Sequence, residues 1–171
     1  IKHSDSKYIS FLDGDDLYLP ETLKLQTKFM EKHPDVYMIY GDSMIIDHSG
    51  NMRAIYHAPE YDPVLLAHRN YIPTGSVMIR REVFDLVGFF DEGLKAAEDY
   101  DMWCRIAMKG LKVVHIPRIL YCYRRHSSQI TNNKEIMRIC EYRVKKRWAR
   151  KLKKKAPIYA SLMDFVRYIG K

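Results

Sequence analysis

A sheet flanked by helices, in the α/β class, is the fold this sequence predicts, and three observations point to it. Apolar runs of strand length recur along the chain at Tyr8–Leu12, Val36–Ile46, Val77–Ile79, Leu111–Ile116 and Ile119–Tyr123. Between them lie segments with helix start and stop signals, most clearly from Pro20 to His33 and from Ala97 to Gly110. The chain of 171 residues, 47% hydrophobic and 29% charged, is long enough for one domain with a real core and too apolar for general disorder.

Taken in order, the run Tyr8-Ile9-Ser10-Phe11-Leu12 reads as a buried strand that stops at three carboxylates, Asp13, Asp15 and Asp16, around Gly14. Pro20 and Glu21 stand where a helix's first turn favours them. Leu23, Thr27 and Met30 continue one face until His33-Pro34 stops the helix. Val36–Ile46 reads as a strand region interrupted at Gly41-Asp42, and His48-Ser49-Gly50-Asn51 turns it back into Met52–Tyr56 as a hairpin. A short helix is expected over 61–69, a small-residue turn at Thr74-Gly75-Ser76, and another short helix over 80–87, closed by Gly88. The helix from Ala97 carries Glu98 and Asp99 in its first turn and Lys109-Gly110 at its end, as the helix dipole and the left-handed stop favour. Asp101 and Arg105 look like an ordinary surface pair one turn apart. Two separate strands, 111–116 and 119–123, are expected next, then a basic helix from Asn133 with a break at Ala156-Pro157.

Composition narrows the classes. No apolar run approaches the ~20 residues that span a bilayer, and the first residues have no signal-peptide pattern. Cys104, Cys122 and Cys140 are odd in number and far apart, which argues against a disulfide framework or a zinc site and for a reducing compartment. The net charge of +8 is local: residues 143–155 hold nine Lys or Arg and no acid, leaving 20 basic against 21 acidic residues elsewhere.

The acidic turn is the strongest chemical signal. Carboxylates this close repel, so they either take up a proton or share a hard cation such as Mg²⁺ or Mn²⁺. An EF-hand is excluded, because its sixth position would be Tyr18 instead of Gly and its twelfth Lys24 instead of Glu. A plain turn in which Asp16 caps the following helix is the simpler alternative.

Four segments, FLDGDD, IPTGSVMIRREVFDLVGFFDE, AAEDYDMWCRI and YCYRRHSSQIT, in this order and at these distances, resemble the family 2 inverting glycosyltransferases of the GT-A fold over residues 6–131. The resemblance implies the C-terminal part of a Rossmann-like mixed sheet flanked by helices. It implies that Asp13 and Asp15 form the D-x-D motif that binds a nucleotide sugar through a divalent metal, Mn or Mg, with Asp15 the direct ligand, Asp13 on the ribose or a metal-bound water, and Asp16 in support. Glu98 and Asp99 match the pair that contains the catalytic base. Of the two, Asp99 heads the face of Trp103 and Ile106, where desolvation would make it more basic. Arg124, Arg125 and His126 match a basic segment that folds over the donor diphosphate, with His126 on phosphate or in the metal shell, and Thr74 and Gly75 match the lining of the sugar and acceptor pocket.

The expected reaction is metal-dependent, inverting transfer of a sugar to a hydroxyl on a glycan, lipid-linked or other acceptor, in polysaccharide biosynthesis. A non-processive enzyme is expected, since no Q-x-x-R-W sequence occurs. The half of the family fold that grips the nucleobase should precede Ile1, so the chain reads as part of a longer protein and by itself is not expected to turn over. The division expected is a transferase core over 1–131 and a basic helical extension over 132–171. In that extension Ile136, Cys140, Val144, Trp148 and Leu152 make an i+4 stripe ringed by cations. This fits attachment to the core or to the cytoplasmic face of an anionic membrane, through 143–155, better than nucleic acid. Competing readings are a binding module built on that helix and a non-catalytic transferase-like domain. An exposed sheet edge would favour an oligomer.

Overall fold

The computed structural model describes residue 1 and residues 3–169, with side chains through Lys154. Its centre is β3, Met38–Ile46, which is parallel along its whole length to β6, Val113–Arg124. The other edge of β3 is shared: β5, Met78–Arg80, pairs antiparallel with its first residues, and β4, Met52–Tyr56, pairs antiparallel with its last. Beyond β5 lies β1, Tyr8–Ser10, and beyond β6 lies β2, Leu17–Tyr18, both antiparallel to their neighbours. Thus β1, β3 and β6 run the same way, and the acidic turn leaves β1 at the end where β3 and β6 also finish.

Alternation along β3 feeds two cores. Met38 and Tyr40 face the larger one, completed by Leu66, Phe84, Tyr100, Trp103, Ile106 and Val144 from the helices. Ile39 faces the smaller, where Met30, Val36, Met78 and Ile116 meet under α1, Thr22–Lys32. Arg80 ties α1 down: its guanidinium is buried and donates to the carbonyls of Val36, Met30 and His33 at 2.7, 2.7 and 3.1 Å. Basic donors on the last carbonyls of a helix satisfy groups that have no partner within it.

Several local expectations are corrected. The first strand is only three residues long and half-buried, because it is an edge with one neighbour, and Leu12 beyond it is exposed. The buried face of α1 is Thr22, Gln26 and Met30, one step round from the apolar reading. Two polar contacts set that rotation, Thr22 Oγ1 to Leu120 O at 2.5 Å and Gln26 Nε2 to Ser76 O at 2.8 Å. Gly41-Asp42 does not interrupt β3, and Pro117-Arg118 does not split β6. Instead the two strands slip register against each other at this point, and Gly41 lies so close to Arg118 O that a Cβ would stand 2.7 Å from it. The remaining helices are α2, Pro63–Leu66, α3, Glu82–Val87, α4, Glu98–Lys109, and α5, Lys134–Ile169, with a 3₁₀ turn at Thr74–Ser76. Gly88 and Gly110 close α3 and α4 with φ of 81° and 77°.

Helix α5 continues across Ala156-Pro157, where a break was expected, although side chains there lie outside those described. Its inner stripe packs on the larger core: Cys140, Val144 and Leu152 are buried, with Ile136 and Trp148 half-buried beside them. The Asp101–Arg105 pair is likewise not on the surface. Asp101 is 1% exposed and accepts from Arg105 Nε, Arg147 Nη1 and Trp148 Nε1 at 2.8, 3.0 and 2.7 Å, which locks α5 onto α4.

Candidate active site

Asp16 N donates to Asp13 O at 3.1 Å, a tight turn that brings one oxygen from each of Asp13, Asp15 and Asp16 within 4.8 Å of the others. A Cβ at Gly14 would meet no atom within 4 Å, so the turn's own packing does not demand glycine there. The three carboxylates differ in environment. Asp15 accepts from His126 Nε2 at 2.7 Å and Gln129 Nε2 at 3.4 Å, and the His126 contact, chiefly, holds it below the usual carboxylate range. Asp16 is 6% exposed; burial pushes it up to about 6, against the opposing hydrogen bond from Arg124 N at 2.8 Å. Asp13, whose side chain is still exposed, is raised as well, by partial desolvation first and then by Asp15 and Asp99. Two of three acids therefore resist ionisation without a counter-charge, which a hard cation would supply.

The segment after β6 closes over this turn. Arg124 Nε donates to Asp15 O at 2.8 Å, and its Nη1 donates to Asp47 O and His48 O at 3.1 Å each. The guanidinium expected on a diphosphate is thus engaged by backbone carbonyls and clamps the acidic turn to the β3–β4 hairpin. Arg125 is exposed, while its backbone N–H donates to Ile46 O at 2.8 Å. His126 holds Asp15 with one ring nitrogen and approaches Ser128 Oγ at 2.9 Å with the other.

A cavity of about 320 Å³ joins the acidic turn to the start of α4. Its wall includes Asp13 and Asp16, Thr74 and Gly75, Glu98 and Asp99, and from α5 Met137 and Glu141. The chain enters α4 through Ala97, whose φ of 60° is left-handed. That conformation costs an L-residue roughly 1–2 kcal/mol, and backbone strain of this kind concentrates at functional sites. Asp99 is half-buried; its Oδ2 accepts from Thr74 Oγ1 at 2.6 Å and Asn70 Nδ2 at 3.0 Å, and its Oδ1 from Tyr100 N at 2.6 Å. Glu98 stands at the cavity mouth, raised by desolvation and then by Asp99 and Asp13. The helix-face argument for Asp99 loses force, because Tyr100, Met102, Trp103, Cys104, Ile106 and Ala107 are all buried and α4 has apolar surroundings on most sides. The hydrogen bonds to Thr74 and Asn70 now distinguish the two acids.

Gly75 has a packing reason: a Cβ there would overlap the ring of Tyr121, itself buried. Asn70, Gln129, Tyr121 and Glu141 were not found from sequence. Gln129 lies three residues after His126, and its amide, which can donate and accept in one turn, was the available signal. Asn70 lies four residues before Thr74, which shares its acceptor on Asp99, so its nearness to that turn was the available signal, whereas nothing local marked Glu141.

Comparison with known proteins identifies the family and the fold. The family model described as glycosyl transferase family group 2 matches residues 8–160. The chain is 35% identical over 119 residues to an uncharacterized protein, y4gI, of Sinorhizobium fredii, covering 68% of this chain and 13% of that protein. It is 30% identical over 124 residues to an uncharacterized glycosyltransferase of Methanocaldococcus jannaschii, covering 69% of this chain and 42% of the relative. The chain thus spans less than half the length of these relatives. Among solved structures, TarS of S. aureus in complex with UDP-GlcNAc superimposes with a TM-score of 0.61 at 18% identity, over 81% of this chain and 43% of TarS, a likeness in fold. With a match that runs from β1 into α5, the chain belongs to glycosyl transferase family group 2, in its GT-A fold.

Proposed function

We propose that the protein to which this chain belongs transfers a sugar from a nucleoside-diphosphate sugar to an acceptor hydroxyl, with inversion and one sugar at a time, in glycan synthesis at the cytoplasmic side of a membrane. One observation carries the reading: a single cavity presents the acidic turn on one wall and the Glu98–Asp99 pair on another. That TarS was solved with UDP-GlcNAc supports a nucleotide sugar as donor.

Three carboxylate oxygens within 4.8 Å, two of them on acids whose ionisation is disfavoured, fit a divalent cation such as Mn²⁺ or Mg²⁺. Asp13, Asp15 and Asp16 would hold it, with His126 as a fourth ligand or a phosphate contact. When bound, such an ion offsets negative charge on the diphosphate leaving group. Arg125, exposed and with no ion-pair partner among the described residues, is available to the same phosphates. Asp99 orients the acceptor hydroxyl and takes its proton as the oxygen attacks the anomeric carbon from the face opposite the nucleotide, which inverts that centre. Thr74 and Asn70 hold Oδ2 of the base in place. Since the chain spans under half of its relatives, the remaining donor contacts are assigned to the rest of the protein, and the 171-residue chain alone is not expected to turn over.

The test is Asp99→Asn in the whole protein. Loss of a general base costs ~10²- to 10⁴-fold in rate, so kcat should collapse while donor affinity stays near wild type. Both oxygens of Asp99 accept hydrogen bonds, so an amide keeps one set and loses the other; the melting temperature is therefore measured alongside. Glu98 as base is the second reading, favoured by its raised pKa. An Asp99→Asn enzyme that keeps most of its kcat while Glu98→Gln does not would establish it.

A further inference from the structure

We propose that the outward face of α5 docks the protein on an anionic lipid bilayer. The inner stripe of this helix, Cys140, Val144 and Leu152, is consumed by the core, at 4%, 1% and 0% exposure. On the opposite side, at spacings of three and four residues, Arg138, Ile139, Tyr142, Arg143, Lys146 and Arg150 are exposed. Ile139 is 43% and Tyr142 63% exposed, a large aliphatic and an aromatic group standing among cations.

The inner cations of the helix are already engaged: Arg147 pairs with Asp91 and Asp101, and Lys145 with Glu141. Arg138, Arg143 and Lys146 have no ion-pair partner among the described residues, and Glu135 is the acid that shares their side of the helix. An ordinary solvated face mixes signs and keeps large apolar groups few. A face of four cations, Arg138, Arg143, Lys146 and Arg150, against Glu135, with Ile and Tyr at its centre, is the pattern of an interfacial helix, in which the apolar groups enter the headgroup region and the cations meet anionic lipids. Anionic headgroups complement this face in charge, since Arg138, Arg143, Lys146 and Arg150 share it with the exposed Ile139 and Tyr142. The same helix lends Met137 and Glu141 from its inner side to the cavity wall, so docking holds the cavity one helix diameter, ~10 Å, from the lipid surface. That an acceptor carried in the surface is thereby presented to Asp99 rests on the proposed function; the docking itself does not.

Flotation of the whole protein with vesicles of phosphatidylcholine, with and without phosphatidylglycerol, tests it. Binding is expected to the mixed vesicles only, and to weaken with salt. Each cation near an anionic surface contributes roughly fivefold to the affinity, so the Arg138→Gln, Arg143→Gln, Lys146→Gln variant should bind about a hundredfold more weakly. Tyr142→Ala should weaken binding at constant charge. Equal binding to neutral vesicles, unchanged binding by the triple variant, or a preference for RNA or DNA over vesicles overturns the proposal. Vesicle binding together with an Asp99→Asn protein of undiminished transfer activity would sink the base assignment and leave the docking face standing.

Discussion

Replacing Asp16 by Asn should stabilise the unliganded protein at neutral pH, because this acid is ionised there at a cost. Burial moves it from an ordinary 3.8 to about 6, and each factor of ten in proton affinity corresponds to about 1.4 kcal/mol. The folded state therefore carries a penalty on the order of 3 kcal/mol above pH 6. The sign follows from proton linkage: the folded protein holds the Asp16 proton more tightly than the unfolded chain, so falling pH favours the fold between about 6 and 3.8 and the penalty disappears below that window. Asn has the same shape and keeps an oxygen for Arg124 N, so the hydrogen bond at 2.8 Å survives. Urea unfolding in the presence of a chelator should show the variant about 2–3 kcal/mol more stable at pH 7.5 and nearly equal to wild type at pH 4. Added Mn²⁺ should raise the melting temperature of wild type more than that of the variant, since the ion supplies the counter-charge that the buried Asp16 carboxylate lacks. A variant no more stable than wild type at pH 7.5, or a gain of the same size at pH 4, would refute the account of the acidic turn.

Three further outcomes are expected. In the whole protein, Asp15→Ala should abolish metal-dependent nucleotide binding by calorimetry with Mn²⁺; unchanged affinity would move the ligand role to Asp13, Asp16 or His126. Gly75→Ala should lower stability by about 1–3 kcal/mol in urea unfolding, because its Cβ would overlap the buried ring of Tyr121; no loss would show that this ring can yield. Asp101→Ala should cost about 3–5 kcal/mol, since it strands Arg105, Arg147 and Trp148 at the α4–α5 contact; a loss near that of a surface pair would mean that α5 is held by its apolar stripe alone.

The sequence by itself determined whatever is written in neighbouring residues. Three acids around Gly14, the Glu98–Asp99 helix start, the stops at Gly88 and Gly110 and the inner stripe of α5 were all legible, because turn chemistry, capping and helical period act over a few residues. Only the tertiary structure decided which of those groups meet. Thr74 reaches Asp99 across 25 positions and His126 reaches Asp15 across 111, and no local pattern encodes such a distance. Burial was equally out of reach: the i,i+4 spacing of Asp101 and Arg105 is the same on a surface and under α5, and only packing showed which one applies. The same holds for Arg124, whose charge suggested phosphate until the hairpin carbonyls of Asp47 and His48 came within its reach, and for Asp16, whose pKa depends on the walls folded around it. Electrostatic and hydrogen-bond energies act over a few ångströms in space, so they are settled by the fold that brings distant segments together.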